Sequence, residues 1–234
     1  MYIDIRDHCE KAVSRYAQIG GNAYVISNIG TSAIQQFVQH WAGVEQAHYL
    51  MADNPDEVNE LFAAVHKGLV KKAKIEAEHS PADSLHLTEN TSTTLTSPTQ
   101  YEKLSYPHVK EYCEIAKRAG RDVMIHMCGH LKLLLPLLST LAAASFEAFT
   151  SPTVGNTTLL DGRKACPDKC LVGGTNAYVW LWPAKKIIEY MEQQLEALPH
   201  HRGIFMSSAG VMPPLCAPET IRTVKQWLDG YKLR

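Results

Sequence analysis

Hydrophobic and polar positions along the chain follow two alternating patterns. Short runs dominated by apolar residues are typical of buried strands, and they are separated by longer stretches in which apolar residues recur every three or four positions, as in amphipathic helices. Strands are predicted at residues 24–29, 84–89, 123–126, 145–151, 170–173 and 203–208. Helices are predicted at residues 8–19, 32–41, after 43, and at 55–78, 98–120, 131–144, 158–165, 183–198 and 218–231.

The start of the longest helix carries three signals at once. Asn54 stands at the capping position, Pro55 at the first helical position, and Glu57 three residues after the cap, a combination typical of helix N-termini. Gly68 lies inside the same helix, where glycine costs some stability. The pattern therefore predicts one long helix that tolerates an internal glycine.

Each predicted strand is followed by at least one helix, which argues for parallel strands joined by right-handed crossovers. No glycine-rich phosphate loop follows the first strand, so a dinucleotide-binding fold is not favoured. We predict an α/β fold of the TIM type, a (β/α)8 barrel, as a single domain over residues 1–234. Because a complete barrel has eight strands and about 250 residues, two strands are missing at the N-terminal end. Either the pattern does not reveal them, or the chain is a piece of a longer barrel. Its open edge would need cover from another subunit.

Composition narrows the classes of function. The chain has 234 residues, of which 45% are hydrophobic and 20% charged, with a net charge of -1. This balance argues against nucleic-acid binding, which needs clustered Lys and Arg. No apolar stretch reaches the roughly 20 residues of a membrane span, and the N-terminus lacks the apolar core of a signal peptide. Six scattered cysteines suggest reduced thiols rather than a disulfide framework. A cytoplasmic protein is expected.

The third predicted strand ends in two side chains that can bind a metal. His126 and Cys128 are two residues apart, so in an extended strand they point the same way while Met127 points away. Imidazole nitrogen and thiolate sulfur suit zinc, and an open coordination position would make such a site catalytic. An isolated H-x-C is also compatible with a core cysteine beside a hydrogen-bonded histidine.

Other candidate residues lie at the same ends of neighbouring strands. Glu89 could be a fourth ligand, a carboxylate that orients His126, or a solvated loop residue. Asn176 and Ser207 could contact a substrate or cofactor. Cys216 follows the last strand and is expected on the face that carries His126, whereas the pair Cys166 and Cys170 precedes a strand and belongs to the opposite face.

The order of several motifs resembles the uroporphyrinogen decarboxylase superfamily. These motifs are HMCGH at 126–130, SFEAFTS at 145–151, LVGGTNA at 171–177 and IFMSSAGVMPP at 204–214, followed by APETI. The sequence is most similar to the cobalamin-dependent branch, the methylcobamide:coenzyme M methyltransferases and related demethylase components. The arginine-rich N-terminal signature of the decarboxylase has no counterpart here. This absence weakens the hypothesis that the protein decarboxylates a porphyrinogen.

The resemblance implies a zinc site and a corrinoid substrate. In the methyltransferase branch an H-x-C and a later Cys hold zinc, which keeps a thiol substrate as a thiolate for attack on a methylcorrinoid. His126 and Cys128 match the first two ligands. The family places the later Cys just before a Gly, where this chain has Ala209. Cys216 lies seven residues after Ala209 in the same loop, so either Cys216 replaces the family's Cys as third ligand or the site lacks that ligand.

Three functions follow as hypotheses. The first is zinc-dependent methyl transfer between a methylcorrinoid, free as methylcobalamin or on a partner protein, and a small thiol, or demethylation of a methylated substrate. The second is decarboxylation of a tetrapyrrole-like acid, which needs no metal. The third is a non-catalytic barrel fragment or partner-binding subunit. No nucleic acid or membrane partner is expected, and a homo-oligomer is compatible with the open sheet edge.

Overall fold

The fold is described by a computed structural model that covers residues 5–233, with side chains from residue 10 onward. Six strands form one sheet in which spatial order follows chain order, and the predicted α/β class is confirmed. The strands are β1 (Ile26–Gly30), β2 (Ser84–Thr88), β3 (Asp122–His126), β4 (Ser145–Phe149), β5 (Cys170–Asn176) and β6 (Ile204–Ala209). The pairs β1–β2, β4–β5 and β5–β6 are parallel, as right-handed crossovers require.

Helices separate the strands. They are α1 (Ile5–Ile19), α2 (Ala33–Gln36), α3 (Val44–Asp53), α4 (Pro55–His79), α5 (Pro98–Gln100), α6 (Tyr106–Arg118), α7 (Leu135–Ser139), α8 (Leu159–Ala165), α9 (Ala184–Glu196) and α10 (Pro218–Gly230). Wider π-helical turns continue α2 over Phe37–Trp41 and join α5 to α6 over Tyr101–Ser105. Within residues 5–233, none of these helices combines the length and apolar character needed to cross a membrane.

Two helical predictions differ from the structure. The helix predicted at 131–144 is reduced to α7, because proline has no N–H to donate and favours the first turn of a helix, and Pro136 therefore starts a short helix rather than lying inside a long one. Asn54 forms no side-chain cap on α4. It also ends α3 by donating its N–H to Leu50, and its ψ of 56° is not the extended conformation of a capping residue.

The chain divides into two compact units. The first comprises the chain up to Glu89 with Thr99–Ile125 and Leu141–Ala144, and the second comprises Asn90–Pro98, His126–Thr140 and Ser145–Arg234. Each unit has an apolar cluster that anchors its helices. In the first unit, α2 packs on α3 and α4 through Ala33, Ile34, Phe37, Val38, Ala47, Val58 and Phe62. In the second, α9 and α10 pack together through Val179, Trp180, Ile187, Met191, Cys216 and Val224. The single domain over residues 1–234 stays a prediction.

Strand β4 contains a bulge where it pairs with β5. Phe146 pairs with Leu171 and Phe149 with Gly173, so three steps along β4 match two along β5. Ala148 adopts a left-handed backbone with φ of 59°, a conformation that costs a non-glycine residue on the order of 1–3 kcal/mol. Bulges of this kind redirect the neighbouring side chains, and here the neighbour is Glu147.

Glycine in β5 makes the bulge possible. Gly173 has φ of 140°, and a Cβ added there would lie 2.7 Å from both the backbone nitrogen and the backbone oxygen of Phe149. No side chain fits into that space. Gly174, with φ of 87°, would place a Cβ 2.7 Å from Leu159 in α8. The glycine pair in LVGGTNA thus lets the bulged strand and a helix approach β5 closely.

We predict that Gly173→Ala and Gly68→Ala change stability in opposite directions. Gly173→Ala forces the Phe149 backbone to move and should lower the free energy of unfolding by roughly 3 kcal/mol. Gly68 lies inside α4 with nothing within 4 Å of the added Cβ, so Gly68→Ala should raise the free energy of unfolding by about 0.5–1 kcal/mol. Urea unfolding of both variants provides the measurement. Equal effects would contradict the described packing around β5.

Candidate functional site

The motif at the end of β3 keeps a strand-like alternation beyond the strand itself. Met127 is fully buried, whereas His126 and Cys128 are partly exposed. The Cys128 thiol lies near the His126 imidazole, because it is one of the groups that raise the pKa of His126. The two groups therefore face the same side, as the spacing of two residues predicts.

A carboxylate completes this group. Glu147, in the bulge of β4, forms a short hydrogen bond and ion pair with Nδ1 of His126. The strands that carry the two residues are joined next to this point, because the Met127 N–H donates to the Glu147 carbonyl over 2.9 Å. Both side chains are at least three-quarters buried, so the contact is shielded from solvent and orients the imidazole firmly.

The surroundings of His126 favour its charged form. Burial by itself lowers the pKa of His126, but the hydrogen bonds with Cys128 and Glu147 and the negative charge of Glu147 outweigh burial and raise the pKa to about 9. The metal-free imidazole therefore carries a proton at neutral pH. A metal that binds Nε2 of this imidazole must displace the proton on that nitrogen.

The loop of residues 90–98 lies against the motif through its backbone. The Asn90 N–H donates to the His126 carbonyl over 3.1 Å, and the Thr93 N–H donates to the His130 carbonyl over 3.1 Å. The Ser92 hydroxyl in turn accepts a hydrogen bond from the His130 N–H over 3.0 Å. This polar loop is thus hydrogen-bonded to both ends of the HMCGH motif, at His126 and at His130.

Glycine at position 129 is required by this close approach. A Cβ at Gly129 would lie 2.2 Å from the Ser92 Cβ and 2.6 Å from the Thr91 carbonyl oxygen. Only a residue without a side chain lets the loop reach the motif. Close packing of the backbone at Gly129 against the loop at Thr91 and Ser92 therefore explains the glycine that follows Cys128.

Asn90 contacts the thiol directly. Cys128 Sγ donates to Asn90 Oδ1 over 3.5 Å, within the range for a sulfur donor. Asn90 has a left-handed backbone with φ of 47°, which asparagine adopts more readily than most residues. The turn after β2 thus presents an amide oxygen to Cys128 and a backbone N–H to His126.

Cys216 is placed in different surroundings from the other two predicted ligands. It is 9% exposed and belongs to the apolar cluster between α9 and α10, and its thiol points to the Ala217 carbonyl over 3.8 Å. Within residues 10–233, the donor atoms of His126, Cys128 and Cys216 do not form a group that lies within 4.8 Å. The role of Cys216 as third ligand stays a prediction, and it requires the loop after β6 to rearrange.

Asn176 and Ser207, predicted to contact a cofactor, have structural contacts. The Asn176 amide donates to the Pro152 carbonyl over 2.8 Å and accepts from the Val179 N–H over 3.2 Å, so it caps the helical turn after β5. Ser207 accepts a hydrogen bond at its carbonyl from the Thr175 hydroxyl over 2.7 Å. These contacts occupy the Asn176 amide and the Ser207 carbonyl, and a cofactor role for either residue stays a prediction.

Glu89 belongs to the first unit and is fully buried there. Its carboxylate accepts hydrogen bonds from the Ser32 N–H, the Ser32 hydroxyl and the Ser105 hydroxyl. Burial raises the pKa of Glu89, and the hydrogen bonds offset part of that rise. A solvated loop residue is therefore the wrong description of Glu89. Its other predicted roles, as fourth ligand or orienting carboxylate, stay predictions, and the carboxylate bonded to His126 is Glu147.

Sequence reasoning missed Glu147 and Asn90. A signal for Glu147 was present, since it is the one charged residue in the apolar run SFEAF, and a charge inside a buried strand needs a partner. Asn90 had no such signal, because asparagine is ordinary in a polar loop. The bulge that turns Glu147 toward His126 is a property of the pairing between β4 and β5.

The donors around His126 fit a zinc ion. A nitrogen donor and a sulfur donor lie near each other, and the bond between Glu147 and Nδ1 leaves the Nε2 atom of the imidazole for a metal. Carboxylate, histidine and metal occur in this order in many zinc sites, because the carboxylate fixes the ring and raises its basicity. His126 and Cys128 alone supply two of the usual three or four protein ligands.

Comparisons with protein families and with solved structures both gave matches. The family model described as uroporphyrinogen decarboxylase (URO-D) matches residues 8–231. A methyltransferase from Methanosarcina mazei of known structure superposes with a TM-score of 0.71 and 13% sequence identity, over 95% of this chain and 63% of that chain. The chain thus spans less than two thirds of the solved relative. A search of curated proteins found no match.

The structural match supports the predicted relation to TIM-barrel proteins of this superfamily, in agreement with six parallel strands in one sheet. At 13% identity it establishes the fold rather than the reaction. The family model covers nearly the whole chain, including every strand and the motif at residues 126–130. The protein therefore belongs to the uroporphyrinogen decarboxylase family.

Proposed function

We propose that the protein catalyses zinc-dependent methyl transfer between a methylcorrinoid and a small thiol. The observation that supports this most directly is the series Glu147, His126 and Cys128, in which Glu147 bonds to His126 and the Cys128 thiol helps to raise the pKa of the same imidazole. It joins a nitrogen donor, a sulfur donor and an orienting carboxylate at the end of a strand. Catalytic residues of parallel α/β enzymes lie at such strand ends.

Each residue in the series has a distinct task in this proposal. His126 and Cys128 would hold the metal, with Cys216 as third ligand if the loop after β6 rearranges. Glu147 holds Nδ1 of His126 and fixes the plane of the ring. Asn90 orients the Cys128 side chain through its amide oxygen. An acceptor thiol coordinated at this site would have a lowered pKa, so it would release its proton to solvent and be present as a nucleophilic thiolate at neutral pH.

The methyl donor and the acceptor are proposals as well. The structural relative is a methyltransferase, which favours methyl transfer over other reactions on this fold. The donor would be methylcobalamin or a corrinoid protein, and the acceptor a small thiol or, in the reverse sense, a methylated substrate. We also propose a cytoplasmic location, because a thiolate site needs reduced cysteines and the described cysteines from Cys113 to Cys216 are free.

Decarboxylation of a tetrapyrrole-like acid is the second candidate. The family description favours it. It needs no metal and would require basic side chains around the substrate carboxylates, whereas the donors around His126 are a carboxylate, a thiol and an amide. The two reactions therefore differ in their dependence on zinc.

Metal content is the first test. Protein purified without chelators should contain about one zinc per chain, and Cys128→Ser should reduce this to less than about half, because the sulfur ligand is lost. Cys170→Ser is the matched control, since Cys170 is a partly buried thiol at the start of β5, and it should leave the zinc content unchanged. Plasma emission spectrometry gives the measurement.

The same experiment assigns Cys216. A zinc loss in Cys216→Ser equal to that in Cys128→Ser would identify Cys216 as the third ligand, and full retention would exclude it. Wild-type protein without zinc, or zinc unaffected by Cys128→Ser, would rule out the proposed site.

The ion pair between Glu147 and His126 predicts a pH dependence of stability in metal-free protein. The pKa of His126 is raised from 6.5 to about 9 in the folded state, so the pair stabilises the fold fully below about pH 6.5. This contribution is lost as the pH rises through 9. Glu147→Gln should lower the free energy of unfolding at pH 6.5 by roughly 2 kcal/mol and flatten the profile between pH 6.5 and 9.

Urea unfolding at several pH values measures this effect. Glu189→Gln is the control, because Glu189 pairs with Lys185 on the exposed face of α9 at 3.9 Å, and exposed pairs contribute less than about 1 kcal/mol. An unchanged pH profile in Glu147→Gln would show that the carboxylate does not control the proton on His126.

Methyl transfer itself can be followed by the absorbance change of methylcobalamin in the presence of 2-mercaptoethanol. Zinc-loaded wild-type protein should demethylate the cofactor, Cys128→Ser should be inactive, and Glu147→Gln should be slower by roughly 10–100-fold, as for other residues that orient a metal ligand. Turnover of a porphyrinogen by metal-free protein would favour the decarboxylase instead. A stable protein with neither activity and no corrinoid binding would indicate a non-catalytic subunit.

A further inference from the structure

A second concave site lies in the same unit, away from the His126 motif. A cavity of about 490 Å³ opens between the end of α8 and the segment that follows α9, lined by Leu160, Arg163, Lys164, Pro167, Ala197, Leu198, Pro199 and His200. None of the lining residues is acidic, whereas two are cationic and one is an imidazole. The cavity is near the amino ends of β5 and β6, the opposite ends of the strands from those that carry catalytic groups.

Arg163 places a buried positive charge beside this cavity. The residue is 4% exposed, and its guanidinium donates to the carbonyls of Pro167, Lys169 and Arg202 over 2.6, 2.9 and 2.6 Å. These acceptors are dipoles without formal charge, and the Nε atom has no hydrogen-bond partner among the described residues. Buried charges in proteins are normally paired with an opposite charge. The charge of Arg163 is therefore compensated only in part.

Two further nitrogen groups line the cavity. Lys164 is exposed and can turn its ammonium group toward a ligand. His200 is partly buried, and its Nδ1 atom has no hydrogen-bond partner within the described side chains. Together with Arg163, these two groups give the cavity a positive potential and hydrogen-bond donors. No carboxylate is among the described residues that line the cavity, so an anion would not compete with one for these donors.

We propose that this cavity binds an oxyanion, carried by a phosphate or a carboxylate group. Lys164 and His200 donate hydrogen bonds to the oxygens, and Arg163 supplies the buried positive charge behind them. Charge-assisted hydrogen bonds of this kind are the stronger class of polar contact. The site is independent of the His126 motif and of zinc.

Titration with inorganic phosphate tests the site. Binding is measured by isothermal calorimetry and by the shift of the thermal unfolding midpoint. Ionic strength is held constant with sodium chloride. Saturable binding is expected, and Lys164→Gln and His200→Phe should each weaken it by about tenfold, the loss of one hydrogen bond to a charged group. Arg163 is left intact, because its removal would also remove three hydrogen bonds that join backbone segments.

The matched control is Lys185→Gln, which removes a lysine that is 90% exposed on α9 and should leave phosphate affinity unchanged. Thermal unfolding without phosphate verifies that each variant is folded. A parallel titration with acetate decides between the two sources, since tighter binding of phosphate identifies a phosphoryl ligand and tighter binding of acetate a carboxylate. Equal phosphate affinity in wild type and Lys164→Gln, or no saturable binding of either anion, would overturn the proposal.

Discussion

The contact between Glu147 and His126 is the constraint on which the candidate site depends. Two side chains from different strands are held together where little water reaches them, and an unpaired Glu147 or a charged His126 alone would be costly in that position. The contact exists because β4 bulges at Ala148 and turns Glu147 toward the end of β3. The bulge exists because Gly173 leaves room for the Phe149 backbone. Gly173 in β5 therefore allows Glu147 to bond with Nδ1 of His126, and this bond leaves Nε2 of His126 for a metal.

A second set of contacts fixes the other side of the motif. The loop after β2 reaches His126, Cys128 and His130 through backbone groups and through the side chains of Asn90 and Ser92. Gly129 admits this loop by its lack of a side chain. The strand end is thereby held from two directions, which restricts the rotamers of His126 and Cys128. Such preorganisation is needed for a metal site with defined geometry.

The two ends of the second unit differ in charge and in chemistry. The carboxyl ends of β3 and β4 carry an imidazole, a thiol and a carboxylate, which suit a cation. The cavity beside α8 carries Arg163, Lys164 and His200 and suits an anion. Parallel strands permit this separation, because they fix the positions of the loops at either end but not the residue types in those loops.

The sequence by itself determined the architecture. Short apolar runs predicted all six strands, and amphipathic stretches of period 3.6 predicted nearly every helix, because both patterns are local properties of the order of residues. The spacing of His126 and Cys128 likewise fixed that the two side chains share a face. The prediction of a helix over residues 131–144 was wrong, because Pro136 limits the length of a helix even where the apolar pattern continues.

Only the tertiary structure decided which residues accompany His126. Glu147 is 21 residues away in the chain and Asn90 is 36, and their approach depends on strand pairing, a bulge and a glycine contact, none of which has a local signature. Glu89 had the expected residue type at the expected strand end, yet its carboxylate is buried against Ser32 and Ser105. Residue type and position along a strand are set by sequence, whereas the partner of a side chain is set by which segments pack together.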